Sequence, residues 1–316
     1  MLPLLAYLCP MSNTRKSIIF ALLAVLFWST MSSAFKISLG YLSPFGLLFW
    51  SVLFALLSLF LVMLVQQKFR FLKELSQKDL MRSAAMGFVN PFLYYLVLFK
   101  AYSLLRAQEA GMLNYTWPIV LVLLSVIFLK QRIGFLSIIA VVVSFLGILV
   151  ISSGGRLLDM RFDEPFGVAL AIGSAFLWAF YWVLNMKDKR EAVGKIFVNM
   201  LFGFVYLLLY GIIFEEIQIP SAEGLLGAAY IGFFEMGITF VFWLLALQYA
   251  ANTAHVSNLI FLSPFMALFF ISIFVGERIL PSTVVGLLLI ISGIMLQQFG
   301  KTFFSWFMSV IQTKSK

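Results

Sequence analysis

Ten apolar segments, at about 17–39, 41–65, 81–105, 107–129, 134–153, 165–186, 194–214, 225–249, 251–275 and 280–299, succeed one another with short connections between them. Each is close to the roughly 20 residues that an α-helix needs to cross hydrocarbon, and in lipid a helix satisfies its own backbone polar groups. The expected fold is therefore an all-α integral membrane protein with ten transmembrane helices. Composition agrees. With 63% of residues hydrophobic, 11% charged and a mean hydropathy of +1.04, the chain has too few polar side chains to cover a water-facing surface.

The chain also repeats itself. Residues 101–154 align without a gap on 247–300, pairing Pro118 with Pro264, Leu113 with Leu259, Ile127-Phe128 with Ile273-Phe274, Arg132-Ile133 with Arg278-Ile279 and Gly147-Ile148 with Gly293-Ile294. The proline, the basic turn and the glycine punctuate each copy in the same order, and Trp28 and Trp178 extend the match to the start of each half. The expected division is a first five-helix repeat at 17–153, a linker at 154–164 and a second repeat at 165–300. A short segment, 1–16, precedes them and a tail, 301–316, comes after.

Most of the 22 Lys and Arg fall in alternate loops, among them Arg15, Lys16, Lys68, Arg70, Lys73, Lys130, Arg132, Lys187, Lys189 and Arg190. Basic loops stay cytoplasmic, so both termini are expected inside an inner (cell) membrane and the 154–164 linker outside. Five crossings per repeat is an odd number. The second half then enters the membrane in the opposite sense, giving two inverted five-helix repeats, an arrangement suited to alternating access.

Several function classes drop out. A single cysteine, Cys9, and a single histidine, His255, leave no His/Cys metal site, and no phosphate-binding glycine motif is present, so no cofactor or ATP motor is expected. The net charge of +9 is explained by membrane orientation and not by nucleic acid. The apolar run before Met11 precedes Arg15-Lys16, the wrong order for a cleaved signal peptide, and translation starting at Met11 is an alternative.

Candidate site residues are polar or aromatic groups within the spans. In the fourth, Gly111, Asn114, Tyr115 and Pro118 share one helix face next to Trp117, and Pro118 frees the Asn114 carbonyl. The ninth repeats this more plainly with Ser257, Asn258 and Pro264, which frees the Ile260 carbonyl. Pro118 and Pro264 are the candidate hinges. Glu235 lies mid-span, where an unpaired carboxylate is costly, and is the proton-coupling candidate; pairing with Lys36 or Lys100 is the structural alternative. Glu235, Thr239, Phe242 and Ala246 are expected on one face of the eighth span, facing Asn90, Tyr94 and Ala101 on the third. Trp28 and Thr30 in the first span, with Trp178 and Tyr181 in the sixth, complete the set. Ala140, Ser144, Gly147, Gly286 and Gly293 are assigned to close packing of spans five and ten.

The proline-centred spans, each leading into a charged turn (Leu129-Lys130-Gln131-Arg132 and Val275-Gly276-Glu277-Arg278), resemble the EamA-type ten-helix members of the drug/metabolite transporter superfamily. The first copy departs from the family's usual Gly-Glu pair. Trp28-Ser29-Thr30-Met31 with Glu109, Gly111, Met112, Asn114, Tyr115, Trp117 and Pro118 is also similar to the aromatic amino acid exporters of that superfamily. The resemblance implies a central cavity lined by spans one, three, four, six, eight and nine. The expected function is secondary-active export of a small amphipathic metabolite such as an amino acid, with the bilayer, the solute and protons as partners. Uptake or exchange of a metabolite, and an intramembrane enzyme using Glu235 as acid or base, are the rival readings.

Overall fold

The structure is a computed structural model and describes residues 12–117, 119–121, 123–124, 135–156, 164–249 and 258–314. Every regular element among them is helical. The α-helices of eight or more residues are, in chain order, α1 (Asn13–Ser38), α2 (Pro44–Val65), α3 (Gln77–Gly87), α4 (Tyr94–Leu104), α5 (Ala107–Asn114), α6 (Phe135–Ser152), α7 (Pro165–Met186), α8 (Ala192–Phe214), α9 (Ala222–Ile231), α10 (Ile238–Tyr249), α11 (Leu262–Phe270) and α12 (Pro281–Lys314). Among the described residues six helices are long and apolar enough to cross a membrane: Asn13–Ser38, Pro44–Val65, Gln77–Leu104, Pro165–Asn185, Ala192–Phe214 and Ala222–Trp243. Ile138–Ile151, Leu259–Val275 and Pro281–Leu296 are shorter apolar helices.

The starts of the helices arise from local chemistry. Ser43 accepts from the Gly46 amide at 3.0 Å with Pro44 in the first turn, and Ser76 and Asp79 form a capping box. Glu191 caps Gly194 at 2.6 Å and Ser221 caps Gly224 at 3.2 Å.

Two spans are interrupted midway. Between α3 and α4, Phe88–Leu93 is a kink at Pro91, called the first π-turn, in which Asn90 leaves the helical conformation (φ −146°, ψ 119°) and separates two helices. Between α9 and α10, Gly232–Gly237 forms a second π-turn, which contains Glu235. A π-turn adds a residue to the helix and rotates the next turns about the axis, so the side chains of one span no longer keep a single face. The expected stripe of Glu235, Thr239, Phe242 and Ala246 is accordingly corrected. Phe242 and Ala246 pack with Phe20 of α1, the Thr239 hydroxyl turns back to the Phe234 carbonyl, and Glu235 points to α4.

Helix neighbours are reciprocal between the two stretches of chain. α1 packs on α10 and α11, as α7 packs on α4 and α5; α2 packs on α9 and the second π-turn, as α8 packs on α3 and the first. α6 pairs with α12 and α2 with α8. Small residues permit these approaches. A side chain on Gly87 would meet the Asn199 carbonyl of α8 and one on Gly203 the Pro91 ring, while Gly232 and Gly237 lie against Ser51 and Ser58 of α2. Ala140, Ser144, Gly147, Gly286 and Gly293 form the α6–α12 contact: a side chain on Gly147 would lie 2.6 Å from the Gly286 carbonyl and one on Gly293 2.6 Å from the Ala140 carbonyl.

Candidate functional site

Glu235 is 8% exposed. Its Oε1 accepts from the Tyr95 hydroxyl at 3.0 Å, and its Oε2 has no hydrogen-bond partner. Pairing with a lysine is corrected. The Lys36 ammonium donates instead to the Tyr102 and Leu105 carbonyls, at 3.0 and 2.5 Å, and Lys100 is exposed. The four-carbon stem of Lys36 lets its charge reach carbonyls at a helix C-terminus, which solvate it better than a distant buried carboxylate.

Next to this carboxylate, Tyr94 stacks on Trp178 with ring centroids 4.8 Å apart and meets Tyr95 edge-on at 4.6 Å. The Tyr94 hydroxyl reaches Asn114 Oδ1 at 3.5 Å, and Asn114 Nδ2 donates to Ser174 Oγ at 2.9 Å. Phe240 joins Trp178 to Trp28, at 5.9 and 6.2 Å, and Trp28 also contacts Trp243 at 5.5 Å. Thr30 and Tyr230 share a hydrogen bond of 2.8 Å. One centre thus gathers Trp28, Tyr94, Asn114 and Trp178, with Glu235 beside it; Tyr181 lies 6.0 Å from Trp178 along α7.

Other candidates stand apart from that centre. Trp117 packs toward Val120, Ala175 and Ala179, and Asn90 is buried in the first π-turn. The fourth span is corrected as well. Helix α5 ends at Asn114, with a turn at Tyr115 and Thr116, so Asn114 and Tyr115 diverge: Asn114 faces α7, whereas the Tyr115 hydroxyl donates to the Ile260 carbonyl at 2.7 Å. Gly111, expected on the same face, fits against Ser32 and Tyr102. Pro264 is buried in the first turn of α11. Pro118 and Ser257 lie outside the described residues, as do His255 and the side chain of Asn258.

Sequence reasoning missed Tyr95, Ser174, Tyr230 and Phe240, which reach the centre only through tertiary packing. It also missed a junction at one end of the bundle. Glu277 accepts from the Ala107 amide at 2.8 Å, the Gln108 amide at 3.3 Å and Gln108 Nε2 at 3.2 Å, capping α5. In return Gln108 Oε1 accepts from the Leu280 amide at 2.9 Å and the Thr283 hydroxyl at 2.8 Å, capping α12. Gly276, left-handed at φ 73°, turns the chain so that Glu277 reaches this position. The Gly276-Glu277 pair was the visible signal.

At another junction Arg190 grips Asp188 (2.6 Å from Nη2 to Oδ2) and donates to the Asp79 carbonyl and Ser83 Oγ at 3.1 and 2.9 Å. Burial opposes the Asp188 charge, but hydrogen bonds from Arg190, with the charges of Arg190 and Lys195, outweigh it and hold the carboxyl below its ordinary value. Among the described residues no group of His, Cys, Asp and Glu could hold a metal ion.

The chain resembles known transporters along most of its length. It is 24% identical over 290 residues to an uncharacterized transporter of Clostridium kluyveri, covering 88% of this chain and 92% of that one. To the uncharacterized transporter YoaV of Bacillus subtilis it is 26% identical over 282 residues, 87% and 94% of the two chains. The aromatic amino acid exporter YddG of Escherichia coli is 26% identical over 233 residues, 68% of this chain and 78% of that one. A protein crystal structure superimposes with a TM-score of 0.65 at 19% identity, covering 90% of this chain and 97% of the other, a likeness of fold. The profile of the EamA-like transporter family matches residues 15–153 and again residues 165–297, and the chain belongs to that family.

Proposed function

We propose that the chain is a secondary-active carrier that exports a small amphipathic metabolite, such as an amino acid, across an inner membrane with both termini cytoplasmic. The observation that carries this reading is Glu235, a buried carboxylate with one free oxygen, beside the aromatic and amide centre of Tyr94, Trp178, Asn114 and Trp28. Flat aromatic faces suit the apolar part of such a solute, and the carboxylate suits its amine or a proton. The name of the YddG relatives favours an aromatic side chain.

Two inverted halves, 17–153 and 165–300, alternate access to this centre. The reciprocal pairing of α1 with α10 and α11, and of α7 with α4 and α5, supports that reading. Pro118 and Pro264 are the bending points. Trp117, Tyr181, Asn90, Thr239, Phe242, Ser257 and Asn258 serve as supporting residues around the pathway.

Counterflow in proteoliposomes tests this directly. Vesicles loaded with unlabelled phenylalanine or another amino acid are expected to accumulate labelled solute, and Glu235→Gln is expected to remove the pH dependence while the protein stays folded. Retained pH dependence in Glu235→Gln removes the proton role. Absence of counterflow across the panel of amino acids removes the solute class.

A further inference from the structure

A cavity of about 140 Å³ lies at the end of the bundle where α4 and α6 finish and α5 and α7 begin. Its walls include Leu105, Arg106 and Glu109 from the α4–α5 corner, Leu113 further along α5, and Glu164 and Val168 from the start of α7. Arg106 and Glu164 are exposed at the rim, whereas Leu105 and Leu113 are buried. The lining is therefore amphipathic, with room for several waters or for the polar end of a small solute.

The rim carries charges of both signs. Glu109 accepts from the Arg106 amide at 3.3 Å and caps α5, while the Glu164 carboxylate makes no capping bond to α7. A guanidinium from one helix start and a carboxylate from another thus border the same space. Behind the Leu105 wall, the Lys36 ammonium is engaged by the Tyr102 and Leu105 carbonyls. The planar fork of an arginine suits a carboxylate, and a carboxylate suits an ammonium. A solute carrying both groups is attracted at both sides of the rim, whereas an amine or an acid alone is attracted at one and repelled at the other.

The two helices that border the cavity also build the aromatic centre. Along α7, Val168, Ala171, Ser174 and Trp178 follow at intervals of three, three and four residues and share one face. Ser174 lies about 9 Å beyond Val168 along the axis and Trp178 about 15 Å. On α5, Asn114 of the centre directly follows Leu113 of the cavity. The Asn114–Ser174 hydrogen bond, 2.9 Å long, joins the two helices at this level, where Leu113 and Ser174 are both fully buried. At the opposite end of the bundle the chain is tied by charge: Arg190 binds the Asp79 carbonyl and Ser83, and Lys68 pairs with Glu191 at 2.7 Å.

We propose that this cavity is the outer mouth of the transport pathway, a second binding place in which a zwitterionic solute sets its carboxylate against Arg106 and its ammonium against Glu164. This rests on the reading of the chain as an amino acid carrier with this face outward. Leu113 and the Asn114–Ser174 bond are the partition between mouth and centre. A solute leaving the centre occupies the mouth last, and in exchange a solute from outside occupies it first.

The single cysteine of the chain, Cys9, lets the cavity be probed one position at a time. In a Cys9→Ser background, Val168→Cys in right-side-out vesicles is expected to react with a membrane-impermeant thiol reagent added outside. Saturating phenylalanine is expected to slow that reaction about fivefold or more. Phenethylamine and phenylpropionate, each lacking one of the two charges, are expected to protect little. Phe166→Cys, on the exposed side of the same turn, is the control whose rate phenylalanine leaves unchanged. Arg106→Gln and Glu164→Gln are each expected to raise the phenylalanine concentration for half-protection about tenfold. Glu164→Cys, at the exposed rim, gives a second reading of access if Val168→Cys fails to fold.

No reaction from outside at these positions in the folded protein overturns the mouth. Equal protection by phenethylamine or phenylpropionate overturns its preference for a zwitterion, and equal slowing at Phe166→Cys overturns the cavity as the place of binding. Counterflow of an amino acid that gives no protection overturns the mouth and leaves the carrier reading standing. Absence of counterflow across the amino acids overturns the carrier reading, and the mouth with it.

Discussion

The Tyr115 hydroxyl donates at 2.7 Å to the Ile260 carbonyl, which is the acceptor four residues before Pro264. Proline has no amide hydrogen, so that carbonyl lacks its helical donor, and a residue from the first matched stretch supplies one to the second. Interhelical hydrogen bonds inside membranes contribute about 0.6 kcal/mol on average and up to about 1.7 kcal/mol. Tyr115→Phe is therefore expected to lower thermal stability measurably without unfolding the protein. In a Pro264→Ala background, where the alanine amide can donate to the Ile260 carbonyl, the same change is expected to cost less. Equal losses in the two backgrounds, measured by thermal unfolding, count against the link.

Glu277 and Gln108 cap each other's helices, and Gln108 is fully buried. Gln108→Leu removes the side-chain bonds to Leu280, Thr283, Arg278 and Glu277 at once and leaves the backbone amide's bond to Glu277. A loss of about 1–2 kcal/mol is expected, the size of a strong cap. Glu277→Gln, which keeps an acceptor for the Ala107 amide, is expected to be milder. Thermal unfolding of the two variants side by side checks the order.

Asp188 governs an acid limb. Its carboxyl is held below the ordinary 3.8, so its contribution to stability is present above that value and is lost as pH falls through the lower folded value. Stability is thus expected to be level with respect to Asp188 from neutral pH to about 5 and to fall below about 4. Asp188→Asn is expected to flatten this limb and to lower stability at neutral pH, because Arg190 then loses its close carboxylate and keeps only the Asp79 carboxylate, 4.0 Å away, to balance its charge. A pH series of melting curves decides it.

Gly203 faces the rigid ring of Pro91 across the contact between α8 and the first π-turn. Neither backbone can yield easily. Gly203→Ala is expected to cost about 1–3 kcal/mol, as overpacking does. Gly173→Ala, in α7, where an added carbon meets nothing within 4 Å, is the matched control and is expected to be close to neutral. Similar melting temperatures for the two variants would remove the tight contact.

Much of the fold was legible because lipid imposes strong rules on composition: apolar length marked the spans, and a mid-span carboxylate had to be buried. The freed Ile260 carbonyl could be foreseen from Pro264 alone, but not that Tyr115 would fill it. The π-turns hid the rest. Asn90-Pro91 is a visible breaker, and Gly232 and Gly237 flank the second interruption, yet helical periodicity carried across them put Thr239 and Phe242 on the face of Glu235. Tyr95 as the partner of Glu235 depends on which face of α4 meets the second π-turn, a matter of packing between distant segments that spacing within one helix does not encode.

The glycine contacts bear on how the chain is assembled during synthesis. The first π-turn rests on α8 and the second on α2, so each interrupted span has its closest backbone neighbour in the other stretch of chain. A nascent first half reaching the bilayer alone leaves the grooves at Gly87 and Ser58 lined only by lipid, whose tails cannot approach a backbone as another helix does. Those grooves are filled only when α8, α9 and the second π-turn have been inserted, which makes late-inserted segments part of the packing of early ones.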